Sequence, residues 1–305
     1  MSAKFHFIGD APVASAMHHE IDQVVTQLRA LRVASLKDRK RLGKPPKLPS
    51  RKALAAVVEG LSAALFPNRL GPPDLTSEGI DYFVGHTLDV ALRELCVQVA
   101  TELCFDGDEG DADECACSIV RELALKLPTI RVFLDSDIRA AYEGDPAARS
   151  ADEVLVCYPG ITAITHHRIA HELYRLNVPL TARIISEIAH SATGIDIHPG
   201  AAIDAGFFID HGTGVVIGET CIIGKRVRLY QAVTLGAKRF EVQEDGTLVK
   251  GNARHPIVKD DVVIYAGATL LGRITIGKGS TIGGNVWLTH SVPPGSTITQ
   301  PQPNY

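Results

Sequence analysis

Several common signatures are missing from this chain of 305 residues, and each absence removes a class of function. Basic excess is missing: 31 Lys and Arg stand against 35 Asp and Glu, a formal net charge of -4. Nothing in that balance draws the protein to nucleic acid or to an anionic membrane. The N-terminus has neither the basic start nor the apolar run of a secretory signal. No uninterrupted apolar run approaches the ~20 residues of a membrane span. The cytoplasm is therefore the expected compartment. Six cysteines are present, but none forms a CxxC pair: Cys115 and Cys117 are separated by a single alanine. In a chain this long without a secretion signal they read as reduced structural thiols. The acidic run Asp106–Glu114 lacks the ligand pattern of an EF-hand. His167 and His171 have the i,i+4 spacing of a zinc pair, but Arg168 stands where the HExxH helix carries glutamate. No metal site is read from the sequence.

What remains is ordinary in bulk and unusual in pattern. Apolar residues make up 45% and charged residues 22%, as in a soluble globular protein. The length suits two domains. Residues 1–192 read as helical. Helical spacing runs through Ser15–Leu36, with Ile21, Val24, Val25, Leu28 and Leu31 on one side. A basic stretch with Pro45, Pro46 and Pro49 then marks a linker. Further helices fit Lys52–Phe66, Glu78–Cys104, Cys115–Leu127, Thr129–Tyr142, Gly160–Leu176 and Thr181–Ser191.

Near residue 193 the texture changes. An aliphatic or small apolar residue returns every six positions: Ile197, Ile203, Ile209, Val215, Cys221, Val227, Val233. After a gap it resumes at Val258, Ile264, Leu270, Ile276, Ile282 and Leu288. A period of six fits neither an amphipathic helix nor an alternating strand, and it is the mark of a parallel β-helix. Three hexapeptides make one turn of a triangular prism, so Ile197, Val215 and Val233 are expected in one stacked column. Successive strands would lie ~4.8 Å apart. The expected fold is α+β in two domains: helices over 1–192, and a parallel β-helix over 193–292 interrupted by a loop at 236–253. A tail follows over 293–305. The open faces and ends of a single prism call for a helical cap or a second copy.

Polar residues interrupt the rhythm in three places: Asp196-Ile197-His198-Pro199, Ile209-Asp210-His211-Gly212-Thr213-Gly214, and Ala253-Arg254-His255-Pro256. Asp196 precedes His211 by fifteen residues, which can bring the two together on adjacent coils. A carboxylate beside an imidazole sets its tautomer and raises its basicity, as a general base requires. The loop Gly236–Ala253 carries Lys238, Arg239 and Lys250. Long loops leaving a solenoid often serve function.

These segments, with Val215-Val216-Ile217-Gly218-Glu219-Thr220 and Val233-Thr234-Leu235-Gly236, resemble serine O-acetyltransferase. Asp145-Pro146-Ala147 and Arg168-Ile169-Ala170-His171 extend the resemblance, which covers about Asp145 to Pro294. The resemblance implies a left-handed coil and a homotrimer or a dimer of trimers. It also implies acetyl transfer from acetyl-CoA to L-serine in cysteine biosynthesis, with acetyl-CoA as co-substrate and no tightly bound cofactor. His211 would take the proton of the serine hydroxyl and Asp196 would orient it. Asp145 and Asp210 would hold the serine ammonium, Arg254 its carboxylate, and His255 would contact substrate. Gly236, Ala237, Ala266 and Gly284 would lie along the pantetheine arm. The loop 236–253 is longer and more charged than in shorter members, and Lys238 and Arg239 are its candidates for the CoA phosphates. Many members bind O-acetylserine sulfhydrylase through a terminal isoleucine; this sequence ends Gln302-Pro303-Asn304-Tyr305, so that complex is not expected.

Three other readings remain at this point. One is a related acyltransferase with another acyl donor or acceptor. Another is a trimeric zinc protein like the γ-class carbonic anhydrases, using His198, His211 and His255, although the close histidine pair of that family is missing. The third is a non-catalytic trimeric scaffold, which has no need of the Asp196, His211, Arg254 and His255 set.

Overall fold

A computed structural model describes residues 11–38, 47–104, 111–239, 243 and 245–300. The chain divides into two units, Met1–Lys47 and Leu48–Tyr305. In the first, helix α1 (Ala11–Asp38) exposes Ile21, Val24, Val25, Leu28 and Leu31.

In the second unit, Ser50 caps α2 (Arg51–Leu65), its Oγ accepting from the Ala53 N–H at 3.3 Å. Pro67 opens the short α3 (Pro67–Leu70). Then come α4 (Ile80–Leu103), α5 (Ala112–Gly144), α6 (Ala151–Cys157), α7 (Pro159–Arg175) and α8 (Pro179–Thr193). The two helices expected over Cys115–Leu127 and Thr129–Tyr142 are one helix of 33 residues, with Pro128 inside it. Proline removes one ladder hydrogen bond. Here the buried row Val120, Leu123, Leu127, Ile130, Leu134 and Ile138 holds the helix together on both sides of it. The sequence pattern did not predict α6, because seven residues are too few to show a period.

Helix ends at Thr193 and the first strand starts at Asp196. Gly194, at φ +70°, closes α8 by donating its N–H to the His190 carbonyl. The strands follow in chain order: β1 (Asp196–Ile197), β2 (Ala202–Ile203), β3 (Phe208–Ile209), β4 (Val216–Ile217), β5 (Ile222–Ile223), β6 (Arg228–Leu229), β7 (Thr234–Gly236), β8 (Ile257–Val258), β9 (Val263–Ile264), β10 (Thr269–Leu271), β11 (Thr275–Ile276), β12 (Thr281–Ile282), β13 (Trp287–Leu288) and β14 (Thr297–Ile298). They form the three parallel sheets of a left-handed β-helix. Sheet A contains β1, β4, β7, β10 and β13; sheet B contains β2, β5, β8 and β11; sheet C contains β3, β6, β9, β12 and β14.

The register corrects the predicted column. Ile197 pairs with Ile217, Ile217 with Leu235, Leu235 with Leu270 and Leu270 with Leu288. Val215 and Val233 are buried two positions earlier. Each hexapeptide offers the core two inward positions, two residues apart. A two-residue insertion between Ile209 and Ile217 moves the six-residue rhythm from one position to the other without breaking it. That insertion is the turn carrying His211. The second irregularity lies between Gly236 and Ile257, where the strands adjoining the inserted loop keep their register: Ile223 pairs with Val258. Residues 240–242 and 244 of this loop, and the chain end 301–305 on which the sulfhydrylase expectation rests, lie outside the described residues.

Coils and helices share one core running from Leu54 to Val292. A buried ion pair ties them together. Arg168 on α7 donates from Nε to Asp137 Oδ2 at 2.7 Å and from Nη2 to Oδ1 at 2.9 Å. The same guanidinium reaches the Ile203 and Asp204 carbonyls, and the Phe207 N–H donates to Asp137.

Candidate active site

Nearly all the residues singled out above fall in two strips, one along each edge of sheet A. The first strip follows the corner between sheets C and A. His211 sits there at φ +58° with its side chain 72% exposed, and Gly212 beside it is at φ +89°. Asp210, buried, lies behind His211, its Oδ1 3.8 Å from Nδ1. Its other oxygen accepts from Arg228 Nη2 at 2.5 Å, and Arg228 Nη1 donates to the Gly144 carbonyl at 2.6 Å. Asp145 stands nearby: Tyr158 Oη donates to it at 2.5 Å and the Ala147 N–H at 2.8 Å. Those hydrogen bonds, the tyrosine's foremost, hold the Asp145 carboxyl below the usual range, and the same bond pushes the Tyr158 phenol up to about 12. Further along, Tyr230 and Tyr265 stack at 4.9 Å, and Ala266 accepts from the Asn285 N–H beside Gly284.

The second strip follows the corner between sheets A and B. His198 follows β1, Glu219 and Thr220 follow β4, Gly236 ends β7 with Ala237 after it, and Arg254 and His255 precede β8. Arg254 Nη2 donates to Glu219 Oε2 at 2.6 Å, and Tyr174 Oη donates to Oε1 at 2.9 Å. Thr220 organises the histidine. Its N–H donates to His255 Nδ1 at 3.1 Å, and its hydroxyl lies 2.9 Å from the same atom. With two donors on Nδ1, the His255 proton resides on Nε2. Burial and the adjacent Arg254 guanidinium push the imidazole down to about 4, so it stays neutral near pH 7.

Asp196 lies between the strips, on the outer side of sheet A. Within one chain it is not at ion-pair distance from His211; it gathers instead with Glu187 and His190 of α8. His211 likewise lies on the opposite edge of sheet A from His198 and His255. His198 Nδ1 accepts from the Gly200 N–H and His171 Nδ1 donates to the Pro199 carbonyl. Val216 and Trp287 stand on the outer face of sheet A, with Trp287 69% exposed.

Residues 255–290 match the family model described as bacterial transferase hexapeptide (six repeats). The plasmid serine acetyltransferase of Synechococcus elongatus is 59% identical over 263 residues, covering 84% of this chain and 82% of that one. The chain belongs to the serine acetyltransferase family. Its fold agrees with solved members. The crystal structure of serine acetyltransferase isoform 3 from Entamoeba histolytica, in complex with cysteine, is 35% identical with a TM-score of 0.69, covering 87% of this chain and 86% of that one. A serine acetyltransferase structure in complex with CoA is 29% identical with a TM-score of 0.52, covering 80% of this chain and 95% of that one.

Four side chains that hold these candidates in this acetyltransferase were not legible in the sequence: Tyr158, Arg228, Glu219 and Thr220. Glu219 and Thr220 lay inside a quoted motif, and nothing in their spacing says that they hold Arg254 and His255. Tyr158 and Arg228 come from a helix boundary and from sheet C, which only folding brings to His211.

Two predictions follow from the second strip. A Cβ on Gly218 would overlap the His255 ring, so Gly218→Ala should displace the imidazole. We expect kcat/KM for serine to fall about 10²-fold, the size of effect a displaced active-site group produces, with unchanged circular dichroism. Wild-type activity in that variant would show that His255 has no part in turnover. The second concerns pH. Because His255 titrates at about 4 when folded and near 6.5 when unfolded, only the unfolded chain holds that proton between those values. Its contribution to stability is complete above about pH 6.5 and is lost as pH falls toward 4. His166, His167, His171 and His198 are also held low by burial and act in the same direction. Denaturant melts of His255→Asn, which keeps an acceptor for Thr220, should have a shallower acid slope than wild type.

Proposed function

We propose that this chain transfers the acetyl group of acetyl-CoA to the hydroxyl of L-serine, giving O-acetylserine and CoA, with His211 as the general base. The observation that carries this reading is the division of the site into strips on opposite edges of sheet A. One strip carries the base and two carboxylates; the other carries a guanidinium and a neutral imidazole. A single prism keeps them apart. Three copies around a threefold axis, each turning sheet A inward, would set the first strip of one copy against the second strip of the next. Exposed Val216 and Trp287 would be covered in that arrangement.

In the resulting groove the serine ammonium meets Asp145 and Asp210, and the serine carboxylate meets Arg254, whose fork matches it in two hydrogen bonds. Serine's hydroxyl is too weak an acid to ionise at neutral pH, so attack on the thioester requires His211 to take its proton as the bond forms. Asp196 of a neighbouring copy would orient His211. The tetrahedral oxyanion needs a donor, and the Nε2–H of neutral His255 suits that task without adding charge. When the intermediate collapses, the carbon–sulfur bond breaks and the proton held by His211 goes to the CoA thiolate. Gly236, Ala237, Ala266 and Gly284 belong to the same two strips, where the pantetheine arm would run, and Lys238 and Arg239 are the candidates for the CoA phosphates. The proposed assembly is a homotrimer or a dimer of trimers, and the proposed compartment is the cytoplasm. No described helix is long and apolar enough to cross a membrane.

The test is to supply purified protein with serine and acetyl-CoA and follow release of free thiol. Release with serine, and much less with homoserine or succinyl-CoA, supports the reading. Preference for either alternative assigns a different acyltransferase, and no release with any pair assigns a scaffold.

A further inference from the structure

Helix α8 ends beside the active-site face in a cluster that joins Asp196 to two side chains the mechanism above does not use, Glu187 and His190. Glu187 and His190 are one turn apart near its C-terminus. Gly194 then reverses the chain in a left-handed turn and brings Asp196 of β1 back against them. One donor atom from each of the three side chains lies within 4.8 Å of the others. Glu187 Oε2 and His190 Nδ1, hydrogen-bonded to each other in the metal-free chain, are 3.3 Å apart, close to the about 3.3 Å edge of a tetrahedron with metal bonds of about 2.0–2.1 Å, so an ion could replace the shared proton without moving either side chain far.

One further feature favours a cation here, and a second orients a ligand. The carbonyl end of α8 carries negative partial charge, which favours a cation at its last turn. Arg183 holds the other oxygen of Glu187 at 2.7 Å, which fixes the carboxylate with Oε2 turned toward His190. An outer partner of that kind orients a ligand before a metal arrives. An imidazole with two carboxylates suits zinc, cobalt or nickel better than magnesium or calcium, which prefer oxygen alone. In the single chain the His190 side chain is 44% exposed, and water can complete the coordination.

We propose that Glu187, His190 and Asp196 bind one divalent transition-metal ion of the zinc class, and that the bound ion engages the Asp196 carboxylate. The consequence for turnover rests on the reading of Asp196 as the partner of His211: an ion on Asp196 withdraws it from the base, so the filled site is inhibited. Removing the metal restores activity.

The probe is cobalt(II) added to the metal-free full-length protein. Its visible bands report nitrogen and oxygen ligands, and strong thiolate charge-transfer bands would reveal capture by the exposed cysteines Cys104, Cys115, Cys117 or Cys157 instead. We expect one cobalt per chain without thiolate bands. In His190→Ala affinity should fall by more than the about 10–100-fold that outer-shell changes cost, and Glu187→Gln should lose binding likewise. Zinc should inhibit wild type reversibly, with EDTA restoring turnover, whereas His190→Ala should keep its basal turnover and resist zinc. Absence of binding, thiolate bands alone, or unchanged binding in both variants overturns the site. Binding lost in both variants, but with wild-type turnover untouched by the ion, upholds the site and overturns the role given to Asp196.

Discussion

His211→Asn should lose about 10²–10⁴-fold in turnover with serine and acetyl-CoA, the contribution of a positioned general base. Its thermal midpoint should stay close to wild type. The imidazole is largely exposed, and Asp210 behind it keeps its bond to Arg228 when it is removed, so the core stays intact. Asparagine is the informative substitution because His211 has φ +58°, a left-handed conformation that asparagine tolerates better than most residues. Alanine at the same position would add backbone strain to the loss of the base. Thiol release from acetyl-CoA, measured across pH, checks the result. Wild-type turnover in a well-folded His211→Asn protein would remove His211 from the mechanism.

Asp137→Ala should produce the largest loss of stability, about 3–5 kcal/mol, as expected when one member of a buried ion pair is deleted. Asp137 is fully buried and accepts two hydrogen bonds from Arg168 and one from the Phe207 N–H. Its deletion leaves a guanidinium in the core with no counter-charge, held by the Ile203 and Asp204 carbonyls and the Phe133 ring face. Urea unfolding of the two proteins is the measurement. The double variant Asp137→Ala with Arg168→Met should recover much of the loss, because no unpaired charge then remains buried. Equal stability of the single variant and wild type would mean that this ion pair adds nothing to the joining of α5, α7 and the first coil.

Much of this protein was legible without coordinates. The six-residue period announced coils, since a prism of hexapeptides must present an apolar residue to its interior at each face. The periodicity of the long helices was equally plain, apart from Pro128, where a local rule against proline lost to a row of buried aliphatics on either side. The predicted column failed for a specific reason. The core accepts apolar residues at two positions per hexapeptide, and a two-residue insertion exchanges one for the other while the pattern continues unbroken. The irregularity hidden in that way is the turn that carries His211.

Site residues divide along similar lines. Asp196, Asp210, His211, Arg254 and His255 stood out because charged groups rarely interrupt a solenoid rhythm, and the family resemblance gave them roles. Their partners did not stand out. Tyr158 reaches Asp145, Glu219 reaches Arg254 and Thr220 reaches His255 across separations along the chain that have no period, and Arg228 reaches Asp210 across a nominal coil that an inserted turn interrupts. Nor did spacing reveal that Asp196 would settle against Glu187 and His190 rather than His211.

The sequence by itself determined the repeating unit, the residues able to do chemistry and the family, because all three are written in local pattern. Only the tertiary structure decided which residues face one another. Stacking fixes neighbours by register, and register depends on every insertion that precedes it. Two added residues at one turn and a loop at another decide which side chains share an edge of sheet A.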